Sequence, residues 1–139
     1  MQDTDVYNLA ADDFKIVTKG KPTQQQMASL LFAWKVVKNI KSNAVVLVKG
    51  TKTVGIGCGQ TSRVDSVHTA IKKAGKNAKN SVLASEAFFP KIDNIQLASK
   101  AGVKAIIQPG GSIADSDVIK AANKAKIAIV FTGIRHFKH

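Results

Sequence analysis

Cysteine, aromatic residues and acidic side chains are all scarce in this chain of 139 residues. The single cysteine, Cys58, leaves no internal disulfide possible, so a cytoplasmic address is expected. Aromatic content is 6%, and the aromatics do not interleave with basic residues as a stacking platform for RNA requires. No apolar run approaches the roughly 18 residues of a membrane span. The first twenty residues hold four Asp and no apolar core segment, so no signal peptide is expected. Neither His-x-Glu nor Cys-x-x-Cys occurs, so the chain lacks the ligand set of a zinc deaminase. No Ser-His-Asp pattern, Walker loop, internal repeat or low-complexity stretch is legible.

What is present is positive charge. Lys and Arg total 21 against 9 acidic residues, a net charge of +12. Such a field attracts polyanions: nucleic acid first, a phosphorylated or polycarboxylate metabolite second. Apolar content of 45% fits one ordinary globular domain with a real core.

Periodicity supplies the elements. Residues 1–13 read as a flexible lead-in, and 14–139 as the folded body. Thr23 followed by Gln26 has the form of a capping box, and Met27, Leu30, Leu31, Trp34 and Val37 follow at helical spacing. The runs AVVLVKG and TKTVGIG suggest a hairpin. Ser62 and Asp65 open a second helix, on whose apolar face His68 is expected as a packing residue. SVLAS reads as a strand, and Asp93 to Ala101 as a helix closed by Gly102. VKAIIQP, a helix in ADSDVIKAANKA and IAIVFT complete a strand-helix-strand-helix-strand alternation. Continuously apolar strands with helical crossovers imply a sheet covered on both faces. The fold class expected is α/β, a three-layer α/β/α domain.

Several strand ends carry chemistry. In GIGCGQTSR, glycines at 55, 57 and 59 clear one strand face for a backbone or a ligand, and Arg63 stands at a helix start that favours anions. A bulged strand before an ordinary capped helix explains the same residues. QPGGSIAD repeats the arrangement, with Ser112 as the expected N-cap; such turns bind ligands in open α/β sheets or simply connect. SEAFFPKIDN places Phe88, Phe89 and Pro90 before Asp93 and Asn94. A core plug and an Asp93 N-cap account for these residues singly, whereas together they suit a flat polar ring. The chain ends in GIRHFKH, where Arg135 suits a phosphate and Phe137 a heterocycle.

These segments, from FKIVTKGKPTQQQMASLLFAWKVVKNIKSNAVVLVKG through TVGIGCGQTSRVDSV, VLASEAFFPKIDNI and AIIQPGGSIADSDVI to IVFTGIRHFKH, strongly resemble one family. It is the carboxyl-terminal end of aminoimidazole carboxamide ribonucleotide transformylase, in most bacteria fused to an inosinate cyclohydrolase. The resemblance covers nearly all of residues 14–139. It implies a cytidine-deaminase-like fold without zinc, and formyl transfer from 10-formyltetrahydrofolate to the amino group of the ribonucleotide. It implies supporting roles near the chemistry for Asn43 and His139. Arg63, Phe88, Arg135 and Phe137 match nucleotide contacts, and Val64, Pro90, Asp93, Asn94 and Ser112 match folate contacts. No metal is implied as required. A homodimer is implied, with no membrane and no specific nucleic acid as partner. The family's catalytic Lys-His pair belongs to an upstream half that is not in this chain. Lys91 stands where the family usually has Phe, and Glu86 where it usually has Asp near a monovalent-cation site. The rival expectation, from the charge, is a non-catalytic basic module that binds RNA or a nucleotide.

Overall fold

In the computed structural model, residues 14–40, 44–59, 62–87, 89, 92–111 and 113–132 are described. The expected lead-in, residues 1–13, lies outside them. Strand β1 (Lys15–Ile16) is followed by helix α1 (Gln24–Val37), and the hairpin is β2 (Val45–Lys49) and β3 (Lys52–Gly57). Helix α2 (Arg63–Ala74) runs into a 3-10 turn (Gly75–Ala78) and strand β4 (Val82–Ser85). Helix α3 (Asp93–Ala101), β5 (Ala105–Gln108), α4 (Asp115–Ala125) and β6 (Ala128–Phe131) complete the order.

The strands form one mixed sheet in the order β1-β6-β5-β4-β2-β3. β4, β5 and β6 are parallel, joined by α3 and α4 as crossovers. β2 runs antiparallel to both β3 and β4, and β1 antiparallel to β6. The α/β class is therefore borne out, with the sheet mixed rather than wholly parallel. Antiparallel β2 brings its first residues beside the carboxyl end of β4, with Val45 opposite Ser85. One edge thus collects the ends of β3, β4, β5 and β6 and the start of β2.

The strands bury both faces because successive side chains point opposite ways. Val46, Val48, Ala84, Ile107 and Val130 pack with Leu30, Ala33, Trp34 and Val37 of α1. Val45, Leu47, Leu83, Ile106 and Ile129 pack instead with Val67 and Ala70 of α2, Ile95 of α3 and Val118 of α4. Helices thus cover the two faces separately.

Local signals decide the helix ends. The Thr23 hydroxyl accepts the Gln26 N–H at 3.0 Å while Gln26 accepts the Thr23 N–H at 2.9 Å, completing the box. Ser62 caps α2 through the Asp65 N–H at 3.2 Å. Gly102 closes α3 in the left-handed region, φ 93°. Three expectations fail. Asp93 is the first helical residue of α3, with Ile92 at the cap position and no side-chain cap there. Helix α4 begins at Asp115 after Ala114, not at an N-cap Ser112. His68 is exposed, because the buried stripe of α2 runs through Ser66, Val67, Ala70 and Ala74, one helical step away.

Strand β1 is the element that periodicity did not mark. It pairs with β6 (Ile16 opposite Val130), and Thr18 Oγ accepts the Ile129 N–H at 3.0 Å just beyond it. Two residues are too short to show an alternation.

Candidate active site

The ends of β3, β4, β5 and β6 and the start of β2 meet on one edge. The glycines of β3 are explained by packing. A Cβ at Gly55 would lie 2.2 Å from the Ala70 carbonyl oxygen, and one at Gly57 2.0 Å from that of Ser66. The face without side chains therefore admits the backbone of α2, not a ligand. That close approach sets where α2 begins, and with it the position of Arg63.

Arg63 is the first residue of α2 and half-buried. Its Nη1 donates to Glu86 Oε1 at 2.9 Å, and the side chains are 12% and 22% exposed respectively. The same oxygen accepts the Ala44 N–H at 3.2 Å. Glu86 thus joins three chain segments: the entry to β2, the start of α2 and the loop leaving β4. Sequence reading treated Glu86 only as a departure from a family residue. Its pairing was visible to no local pattern, since 23 residues separate it from Arg63. Val64 follows Arg63 on α2 and is half-buried.

Beyond Glu86 the loop is pinned by Phe89, whose side chain is wholly buried. Its N–H donates to Gln108 Oε1 at 2.8 Å. The core-plug account of the aromatic pair therefore holds for Phe89. Asp93 and Asn94 open α3 on the same edge; Asp93 is half-buried, and Asn94 is 1% exposed. The Asn94 Oδ1 has no hydrogen-bond partner, and neither has the Gln108 Nε2. Buried polar atoms are normally paired, so each of these two is an exception at the start of a helix or the end of a strand.

The glycine turn after β5 is also committed. Gly110, with φ +80°, lies so close to Phe131 that a Cβ there would fall 2.5 Å from the ring. The Gly111 N–H donates to Asp115 Oδ2 at 2.7 Å, so a carboxylate of the chain takes the donor that an anion would use.

Seven expected site residues, Asn43, Phe88, Pro90, Ser112, Arg135, Phe137 and His139, lie outside the described residues, as does Lys91. The described chain brings Arg63, Val64, Asp93 and Asn94 to one edge, on α2 and α3. Gln108 is the residue that sequence reading missed. Its signal was a polar side chain ending the otherwise apolar strand AIIQ.

Among the described residues, no cluster of three His, Cys, Asp or Glu could hold a metal ion. No described helix is long and apolar enough to cross a membrane. Part of the positive charge gathers at the opposite edge, where Lys19, Lys21, Lys104 and Lys126 line a cleft of about 240 Å³.

A family model described as the AICARFT/IMPCHase bienzyme matches residues 1–73. The bifunctional purine biosynthesis protein PurH of Persephonella marina is 60% identical over 141 residues, covering 99% of this chain and 27% of that protein. PurH of Bacillus subtilis is 54% identical over 139 residues, again covering 27% of its length. The chain thus spans about a quarter of these curated relatives. Among solved structures, RibD of Acinetobacter baumannii superposes with a TM-score of 0.53 at 14% identity, over 76% of this chain and 34% of that one. That likeness concerns the fold alone.

Proposed function

The chain belongs to the AICARFT/IMPCHase bienzyme family, and from that premise we propose that it is the carboxyl-terminal part of the formyltransferase. It serves purine biosynthesis by helping to move a formyl group from 10-formyltetrahydrofolate to the amino group of aminoimidazole carboxamide ribonucleotide. The finer fold reading that goes with it is a three-layer, cytidine-deaminase-like domain that uses no zinc. The setting proposed is cytoplasmic, in a homodimer.

The observation that carries the proposal is the Arg63–Glu86–Ala44 junction, which holds a cation at the edge where the strand ends gather. A guanidinium so held is oriented before a ligand arrives, and that is what positioning of two co-substrates requires. In this reading Arg63, Phe88, Arg135 and Phe137 bind the nucleotide. Val64, Pro90, Asp93, Asn94 and Ser112 bind the folate. Asp93 supports that role because its carboxylate is not spent as the N-cap of α3. Asn43, adjoining Ala44 in the chain, stands near the reacting carboxamide, and His139 supports the site as a donor.

These residues bind and orient; none is a convincing base for a weakly nucleophilic aromatic amine. That chemistry is assigned to a Lys-His pair in an upstream half of the enzyme. The test is formyl-tetrahydrofolate turnover by the purified chain, alone and with the upstream half added. No turnover alone and turnover on reconstitution are expected. A comparable rate from the chain alone would overturn the division of labour and move the catalytic role to His139.

The lysine-lined cleft favours a second reading, a basic module for RNA or a nucleotide. Binding there should weaken steeply with salt. Binding of folate at the strand ends should survive moderate salt.

A further inference from the structure

The described acidic residues all stand toward the candidate-site edge. Asp65, Asp93, Asp115 and Asp117 lie in the first turns of α2, α3 and α4, and Glu86 in the loop leaving β4. The opposite edge, where β4, β5 and β6 begin and the β2–β3 hairpin turns, carries lysines instead. Lys19, Lys21, Lys104 and Lys126 surround the cleft of about 240 Å³. A second cleft, of about 740 Å³, adjoins it through Gln26 and Lys104 and adds Lys49. All five lysines are exposed, and no described acidic residue lines either cleft. Among the described residues, none of the five makes an ion pair.

Helix dipoles account for part of the charge at this edge. Lys72, Lys73, Lys100 and Lys124 sit in the last turns of α2, α3 and α4, where a cation is favourable. They do not account for Lys19, Lys21, Lys49 or Lys104, which lie in loops and at a strand end. Mixed charges suffice for solvation, whereas a field of one sign repels itself in the folded state. Lys126 carries a further strain. It holds the left-handed cap position of α4, φ 62°, which Gly102 takes at the end of α3. Its charge stands where folding alone favours glycine.

We infer that this edge is a second binding site, for the phosphate backbone of a duplex nucleic acid. Neighbouring cations with no acid among them match neighbouring phosphates. No described aromatic residue lines either cleft, so nothing there stacks on unpaired bases and the backbone is what the edge can read. The large exposed apolar residues Ile16, Ile92 and Ile113 line neither cleft, so the lysines lack the apolar anchor that a membrane surface would engage. This assignment rests on the second reading above and narrows it from RNA or a nucleotide to a duplex backbone. It is compatible with formyl transfer, because the two edges are opposite ends of the same strands.

The test is fluorescence anisotropy of the 139-residue chain with labelled duplex RNA and labelled duplex DNA. Four lysines on four phosphates give a slope of about −3.6 in log affinity against log salt, a loss of about 150-fold between 50 and 200 mM. Lys104→Gln and Lys126→Gly should each lower the size of that slope by about 0.9. Lys126→Gly also relieves the left-handed backbone, so its thermal midpoint should not fall. Lys15→Gln removes a charge at the other edge, opposite Phe131, and should leave the slope unchanged. A preference for one duplex would name the source, and equal binding would assign the readout to the backbone alone; either supports the inference. A slope lowered as much by Lys15→Gln as by Lys104→Gln would reduce the effect to net charge and overturn it. Binding to phosphatidylglycerol vesicles but to neither duplex would overturn it in favour of a membrane. Binding of ATP but of neither duplex would overturn it and leave the second reading as a nucleotide site. A chain that binds none of these would overturn the second reading as well, while the formyltransferase proposal stands on its own turnover assay.

Discussion

Arg63 and Glu86 form an ion pair at 2.9 Å across the edge of the sheet, and Glu86 also receives the Ala44 N–H. A carboxylate with two donors on one oxygen is a junction rather than a surface pair. Removing it leaves a half-buried guanidinium and a backbone N–H without that acceptor. Glu86→Ala should therefore lower stability by about 1.5–3 kcal/mol, the range for hydrogen bonds to charged groups. Glu86→Gln, which keeps an acceptor for Ala44, should lose less. Urea unfolding of the two variants checks both the size and the order.

Gly57 should tolerate no side chain. With the Ser66 carbonyl oxygen 2.0 Å from the place of a Cβ, Gly57→Ala must push α2 off the sheet. The expected cost is about 3 kcal/mol, the upper end for overpacking a core. Because Arg63 starts that helix, nucleotide affinity should fall as well. A thermal midpoint within 1–2 °C of wild type, roughly the shift expected from a change of a few tenths of a kcal/mol, would contradict the close approach.

Asp93 and Asn94 should separate folding from ligand binding. Asp93 is not the N-cap of α3, so Asp93→Ala loses only its interaction with the helix dipole, about 0.3–1 kcal/mol. Asn94→Ala removes an acceptor that is buried and unpartnered. Both variants should weaken folate binding more than nucleotide binding, measured by calorimetry on the same preparations. Intact folate affinity in both would remove these residues from the site.

Arg135→Ala tests the nucleotide side. Loss of a charge-assisted contact to a phosphate should weaken nucleotide binding by about 1.5–3 kcal/mol. Calorimetry with the chain joined to its upstream half is the measurement, and unchanged affinity would contradict the assignment.

Much of the architecture could be read locally. The Thr23–Gln26 box, the Ser62 cap and Gly102 each act within one turn of helix, so residue type at fixed spacing suffices to place them. Where the reading failed, residue type alone did not decide the outcome. Asp93 is a good capping residue by type, yet Ile92 holds the cap position. Ser112 is likewise a good cap by type, yet α4 starts at Asp115, whose carboxylate takes the Gly111 N–H. The glycines of β3 suited a ligand as well as a helix until α2 was seen to lie against them.

The sequence by itself determined the class of elements and both faces of the core, because burial follows a period of 2.0 along a strand and 3.6 along a helix. It also carried the long ordered motifs that the family shares. Only the tertiary structure decided that β2 runs antiparallel to β4, which brings Ala44 within reach of Glu86. The same is true of Arg63 meeting Glu86 and of Gln108 holding Phe89. Those partners are 42, 23 and 19 residues apart, and no periodic pattern spans such a gap. They meet because the crossovers return each strand end to the same edge, where polar groups cut off from water must find partners across the chain.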